Sequence, residues 1–252
     1  MIPVCFQLVR VIRNRVLACL VLLASAAGGA AQQPAPEPQE HAVRRFFGDI
    51  WTDQKAIWSS PFRMNKHQFT RIALPLAAVT AALIASDRDA AQLFPNTPDQ
   101  VRYSSYVSHA GDAYALAGAV MVPMLIGKLA EKPGATSIGR SGAEALADSA
   151  IVTYVLKPAF WRERPTAGGG KGRFWHGKDN SFPSGHSLMS FAVATAVARN
   201  RRTPKWLAVT AYTAATAIGL SRWSARKHFP SDVFAGAALG GLIGNYVATR
   251  PR

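Results

Sequence analysis

From residue 67 onward apolar residues recur with helical spacing, and no run alternates with a period of two for long enough to make a strand. A chain patterned in this way can bury its apolar faces only by packing helix on helix. Gly, Pro and Asn/Asp punctuation, such as Phe94-Pro-Asn-Thr-Pro and Lys132-Pro-Gly, divides it into helical segments near 67–86, 112–130, 136–157, 187–199, 204–221 and 231–248. The expected fold class is all-α, a single bundle of about six helices over residues 67–249. The 252 residues fit one domain, and no internal repeat of fixed period interrupts it.

The first 31 residues read differently. Arg10, Arg13 and Arg15 precede an apolar run from Val16 to Ala27, and small residues follow through Ala31. This is the layout of a secretory signal peptide, cleaved near Ala30 or Ala31; the apolar run is short of the ~20 residues that a spanning anchor needs. Cys5 and Cys19, the two cysteines of the chain, both fall in this leader, so the exported part is expected to have no disulfide and no thiolate metal site. Residues 32–66 follow as a Pro-rich linker, Gln32 to His41, and then an amphipathic segment around Trp51, Trp58 and Phe62. The formal net charge is +15, and setting aside the three leader arginines leaves +12. So basic a surface favours anionic partners. For an exported chain these are anionic lipid headgroups or phosphorylated envelope molecules rather than nucleic acid.

Three short stretches carry residues suited to one chemistry. Lys157-Pro-Ala-Phe-Trp-Arg-Glu-Arg164-Pro165 ends the third expected helix, and its lysine and arginine can neutralise the non-bridging oxygens of a phosphate. Alone, they could equally complement the helix dipole. Pro183-Ser184-Gly185-His186 opens the fourth helix, where a hydroxyl and helix-start N–H groups form an anion nest. Ser221-Arg222 and, further on, His228 and Asp232 supply an oxyanion-gripping guanidinium, an imidazole able to attack phosphorus, and a carboxylate able to fix its tautomer. His109 and Asp112, at the start of the second helix, and His176, in a basic loop, read as structural or solvated. With histidines so scattered, no metal site and no cofactor are expected.

Together, Lys-x6-Arg-Pro, Pro-Ser-Gly-His and Ser-Arg-x5-His-x3-Asp resemble the three-part signature of the type 2 phosphatidic acid phosphatase family. That family shares its bundle with bacterial class A acid phosphatases and vanadium-dependent haloperoxidases. The signature covers residues 157–232 without substitution. The resemblance implies a metal-independent phosphatase in which Lys157, Arg164 and Arg222, with Ser184 and the Gly185 N–H, bind the phosphate. It further implies that His228, oriented by Asp232, attacks phosphorus, and that His186 protonates the leaving group. One histidine must start neutral and the other charged, which predicts a bell-shaped pH profile.

Aromatics near the motifs, Phe160, Trp161, Phe174, Trp175 and Trp223, suit either an amphipathic substrate or plain packing. The expected substrate is a lipid-linked phosphate such as phosphatidic acid, a phosphatidylglycerol phosphate or a polyprenyl diphosphate. Water-soluble phosphoesters, and vanadate-dependent peroxidation, stand as alternatives. Basic clusters at Lys128, Lys132 and Arg140 and at Arg199, Arg201, Arg202 and Lys205 would lie opposite the motifs, as the positive-inside rule expects. Gly236, Gly240 and Gly244 would allow close helix contact in lipid. The helices are nevertheless rich in Ala, Gly and Thr, and mostly short of ~18 uninterrupted apolar residues. Both a bacterial inner-membrane protein with its site facing the periplasm and a soluble periplasmic one fit the sequence. The oligomeric state is not legible in it.

Overall fold

The computed structural model describes residues 39–95, 97–177 and 179–251. The chain divides into residues 1–43 and 44–252, and the helical bundle belongs to the second unit. The expected signal peptide, both cysteines and residues 32–38 lie outside the described residues.

The fold is all-α, with no strand among the described residues. In order the helices are α1 (Gln39–Arg63), α2 (Lys66–Ala90, with one π turn over Phe69–Ala73), α3 (Pro98–His109), α4 (Ala113–Leu129), α5 (Pro133–Phe160), α6 (Gly185–Arg199), α7 (Lys205–Ser224) and α8 (Pro230–Thr249). Six of them match the expected segments, and α1 and α3 are additional. α3 escapes a reading by apolar period because its inward positions are Ser104 and Ser108. Its start follows the ordinary rules, with the Thr97 hydroxyl accepting from the Gln100 N–H at 3.3 Å and Pro98 in the first turn.

α6 lies at the centre. Leu188, Ala192 and Ala196 on one face join Ala145 and Val152 of α5 and Ile243 and Val247 of α8. Val193 and Val197 join Leu116 and Val120 of α4 and Ala143 and Leu146 of α5. α8 approaches α6 backbone to backbone. An added Cβ on Gly236 would stand 2.5 Å from the Ser184 carbonyl oxygen, and Cβ atoms on Gly240 and Gly244 would press closer still on the carbonyls of Leu188 and Ala192. The four-residue glycine spacing therefore does bring two helices together.

α1 occupies much of the stretch read as linker and amphipathic segment. It turns Ile50, Asp53 and Gln54 inward and leaves Phe47, Trp51 and Phe62 exposed. Its polar inward residues meet partners: Gln54 Nε2 donates to Asp148 Oδ1 at 2.8 Å, Arg140 bridges Asp49 and Glu144 at 2.8 and 2.7 Å, and Arg250 pairs with both Asp53 and Glu144. Acids that count against burial when read singly are thus paired inside the bundle.

The two ends of the bundle differ. Asn200 donates to the hydroxyls of Ser137 and Ser141 at 3.1 and 3.2 Å, which sets the basic α6–α7 loop beside the start of α5. The opposite end gathers the last turn of α2, the break between α3 and α4, the ends of α5 and α7, and the starts of α6 and α8. Two stretches, Lys66–Ala90 and Pro98–Leu129, are long and apolar enough to cross a membrane, and their most apolar windows are almost wholly or largely unburied.

The backbone contact between α6 and α8 yields a paired test. Gly240→Ala drives a methyl into the Leu188 carbonyl and should cost about 1–3 kcal/mol, read as a lowered thermal midpoint. Gly241→Ala, whose Cβ would meet only the Thr195 hydroxyl at 3.8 Å, should leave the midpoint unchanged or slightly raised.

Candidate active site

The three sequence stretches meet at one end of the bundle. Lys157 sits in the last turn of α5, and the chain then leaves the helix through Trp161, whose φ of 35° lies in the left-handed region and turns it sharply. Ser184 is the residue before α6, with Gly185 and His186 in its first turn. Ser221 and Arg222 end α7, His228 lies in the loop beyond, and Asp232 stands in the first turn of α8.

Direct contacts link the stretches. The Ser184 N–H donates to the Asp232 carbonyl at 3.0 Å, which joins the start of α6 to that of α8. A Cβ on Gly185 would touch Thr153 at 2.8 Å and Lys157 Cε at 3.5 Å, so the lysine stem runs directly beneath the helix start. The Gly185 N–H, in a first turn, has no intrahelical acceptor and is oriented as a donor to an anion. Lys157 Nζ donates to the Asn180 carbonyl at 3.0 Å and Arg164 Nη2 to the Asn180 side chain at 3.1 Å, while Arg164 Nη1 reaches the Lys227 carbonyl at 3.3 Å, next to His228. The Ser184 hydroxyl accepts from Ser187 at 3.1 Å.

The two histidines are held differently. His228 is almost wholly buried, and its Nδ1 faces the Ser181 hydroxyl at 3.4 Å and Asp232 Oδ2 at 3.6 Å. The second distance is an ion-pair approach and not a hydrogen bond. Nε2 is thereby the nitrogen that can present a lone pair. His186 is partly exposed, and its Nε2 lies 2.9 Å from Asp112 Oδ1.

The charges of this end act on one another. Burial, and then the field of Arg164 and Arg222, pushes Lys157 down to about 8. Burial lowers His186 to about 4, with Arg222 and Lys157 adding to it and Asp112 opposing. Burial likewise takes His228 to about 4, against the pull of Asp232. Burial alone would raise the Asp232 carboxyl, but His228, Arg162 and Ser181 together hold it below the usual carboxylate range. Both imidazoles are therefore held neutral at pH 7 beside three cationic side chains.

Two groups at this end do not stand out in the sequence. Arg162, inside the first stretch but between its two named cations, is fully buried: it donates to Asp87 Oδ2 at 2.6 Å, Asp232 Oδ1 at 2.5 Å, Ser231 Oγ at 2.7 Å and the Gly172 carbonyl at 3.1 Å, between the rings of Phe174 and Phe229. Its only signal in the sequence is the surplus of arginines in that stretch. Asp112 reads in sequence as a structural or solvated carboxylate at a helix start, yet it touches His186. The aromatics divide: Phe160 and Phe174 pack with Phe182, and Trp223 packs on Phe94 and donates to the Ala90 carbonyl, while Trp161 and Trp175 stay exposed beside the site.

Parts of the chain resemble known proteins. Residues 142–251 match the PAP2 superfamily. A lipid A 1-phosphatase of Porphyromonas gingivalis is 45% identical over 67 residues, covering 26% of this chain and 15% of that protein. A bacitracin transport permease protein of Bacillus licheniformis, BcrC, is 38% identical over 72 residues, covering 29% and 34%. The matches thus span about a seventh and a third of these relatives' lengths. Among solved structures, a transmembrane PAP2-type phosphatidylglycerolphosphate phosphatase from Bacillus subtilis superposes with a TM-score of 0.50 at 22% identity, over 81% of this chain and 92% of that one. That likeness shows the fold.

Burial makes Arg162 testable on its own. Arg162→Met leaves Asp87 and Asp232 buried without their cation and should cost about 3–5 kcal/mol of stability. Adding Asp87→Asn, which removes one stranded charge, should recover part of the loss in denaturant melts.

Proposed function

With residues 142–251 in the PAP2 superfamily, we propose that this chain is a metal-independent phosphatase that hydrolyses lipid-linked phosphomonoesters or diphosphates through a phosphohistidine. The observation that carries the reading is the gathering of Lys157, Arg164 and Arg222 with His186 and His228 at one end of the bundle. Three cations beside two neutral imidazoles repel protons and attract a phosphate, whose charge lies near −2 at neutral pH.

Each residue has a role in that chemistry. The three cations, with Ser184 and the Gly185 N–H, hold the non-bridging oxygens and stabilise the charge of the five-coordinate transition state. Asp232, acting with Ser181, keeps a proton on Nδ1 of His228 and turns the Nε2 lone pair towards phosphorus. As the N–P bond forms, the ester oxygen leaves with a proton from His186. Water, deprotonated by the same imidazole, then cleaves the phosphohistidine. The phosphate brings negative charge to His186, against the field of Arg222 and Lys157, and so favours its protonated form for this step.

Two features support a lipid substrate. A cavity of about 280 Å³ between α4, α5, α6 and α7 is lined by Leu116, Val120, Val193, Leu207, Ala215, Ile218 and similar apolar groups. Its Ile218 lies against Gly111, beside the His186 ring. The relative named for lipid A supports the same class. We further propose that Lys66–Ala90 and Pro98–Leu129 meet lipid and that the basic end of the bundle faces the cytoplasm, which turns the site towards the periplasm.

The decisive experiment is phosphate release, with chelator present, from phosphatidic acid in mixed micelles and from a soluble phosphomonoester. His228→Ala should lower release from both on the order of a thousandfold or more. Faster turnover of the micellar substrate supports the lipid assignment, and the reverse order overturns it. The pH profile gives a second test. Activity should rise as pH passes about 4, where His228 loses its proton, and fall at higher pH, as His186 in the substrate complex gives up its proton and then through about 8, where Lys157 loses its charge. Lys157→Arg, whose guanidinium stays charged, should remove the part of the fall near pH 8 and leave the part set by His186.

A further inference from the structure

The break between α3 and α4 forms a wall of the site that lies outside both the three signature stretches and the matched residues 142–251. Arg222 Nη1 donates to the Ser108 hydroxyl at the end of α3. Gly111 lies so close to His186 that a Cβ there would stand 3.1 Å from its ring carbon Cδ2. Asp112 then places Oδ1 2.9 Å from His186 Nε2. Its other oxygen, Oδ2, meets His109 Nδ1 at 2.9 Å and accepts from the Tyr114 hydroxyl at 2.8 Å. The carboxylate is therefore fixed from three sides, by His186, by His109 at the end of α3 and by Tyr114 at the start of α4.

Resting on the phosphatase reading, we propose that Asp112 is the positioning residue of the general acid: it holds a proton on His186 Nε2 and so makes Nδ1 the nitrogen that exchanges protons with the substrate. An ionised carboxylate only accepts, so the ring nitrogen facing it must donate. In the imidazolium, Nε2–H stays on Asp112 and Nδ1–H points away. When the P–O bond breaks, the Nδ1 proton passes to the leaving oxygen and the ring becomes neutral with Nε2–H unchanged. In the second half, Nδ1 takes a proton from the attacking water, the N–P bond breaks, and the imidazolium is restored. Every proton is accounted for with one mobile nitrogen.

The surroundings of His186 explain why such a partner is needed. Lys157 of α5 and Arg222 of α7 both disfavour its charge, and Asp112 is the carboxylate that opposes them. His109 and Tyr114 reach His186 only through Asp112. Without the carboxylate, the acid would have to form beside two cations with nothing but the substrate's own charge to help it. The effect of its loss is set by how much the leaving group needs a proton.

The test uses two soluble substrates on the full chain, an alkyl phosphate and p-nitrophenyl phosphate, whose aryloxide departs unprotonated. Asp112→Asn keeps the size of the side chain and removes its charge. Read in the first turnover, before the phosphohistidine hydrolysis that needs the same imidazole on either ester, it should slow release of the alkyl alcohol about 10- to 100-fold and release of p-nitrophenol less than about threefold. His186→Ala should show the same selectivity more strongly, and adding Asp112→Asn to it should bring no further loss. Retained first-turnover release of p-nitrophenol also reports that the variant is folded. An equal loss on both esters, or no loss on either, overturns the role of Asp112 while leaving the phosphatase reading intact. If the unsubstituted protein hydrolyses neither ester, nor a lipid phosphate, it is the phosphatase reading that falls, and this one falls with it.

Discussion

The geometry of this site depends on a buried guanidinium. Arg162 is enclosed by Asp87 from α2 and Asp232 from α8, with the faces of Phe174 and Phe229 stacked 4.6 and 4.5 Å from its carbon centre. A charge in that setting is tolerable only when each donor is matched, and here Ser231 and the Gly172 carbonyl take those the two carboxylates leave. Gly172 has φ +61°, and a Cβ there would meet the Phe229 ring at 2.7 Å, so the loop can close over the arginine only with glycine at this point. One side chain thereby ties the end of α2, the turn after α5 and the start of α8 to each other. Asp232 is fixed by that tie, and it in turn accepts from the Phe229 N–H, next to His228, and from the Ser181 hydroxyl that faces His228 Nδ1.

The second constraint opposes the first. Lys157, Arg164 and Arg222 repel one another at the same end of the bundle, and the scaffold that holds them must be stiff. Stiffness comes from the α6–α8 contact, in which glycine lets backbone meet backbone and the Ser184 N–H can reach the Asp232 carbonyl. The apolar clusters on either side of α6 then fix the helix starts that carry Gly185 and His186. Cations assembled in this way donate to backbone and side-chain oxygens of Asn180, Lys227 and Ser108, all neutral groups, and the buried Nε of Arg222 has no hydrogen-bond partner among the described residues.

How much of this the sequence discloses follows from how local each signal is. The helices from α4 onward announce themselves by apolar period and by Gly and Pro at their ends, and the motif residues stand within fixed short spacings. The glycine stripe of α8 likewise has a local period. Arg162 stays inconspicuous, because nothing local distinguishes a buried arginine from its neighbours Lys157 and Arg164; its partners are 75 and 70 residues away. Asp112 misleads for the same reason, since its contact with His186 spans 74 residues. α3 is hidden because its inward face is serine, buried against Ser224 and Arg222 and not against apolar side chains. The acids of α5 look ill suited to burial until α1 and Arg250 supply their partners.

The unequal burial of the two histidines bears on which way the substrate lies. His228 is only 2% exposed and His186 part exposed, so one imidazole is approached only from the site and the other also borders its rim. Displacement at phosphorus brings nucleophile and leaving group into line on opposite faces. If His228 attacks, the leaving oxygen must lie towards His186, and with it the rest of the alcohol. That is the side on which Ile218 meets Gly111 and the apolar cavity begins. A hydrocarbon on the leaving alcohol would then lie beside the apolar residues that line the cavity, and the phosphate would remain among the cations. A substrate reversed in the site would put its chain against Asn180 and Lys227, where polar groups would lose their partners without return. If the chain acts on a lipid phosphate as proposed, the apolar cavity beside His186 favours the orientation that carries the hydrocarbon on that side.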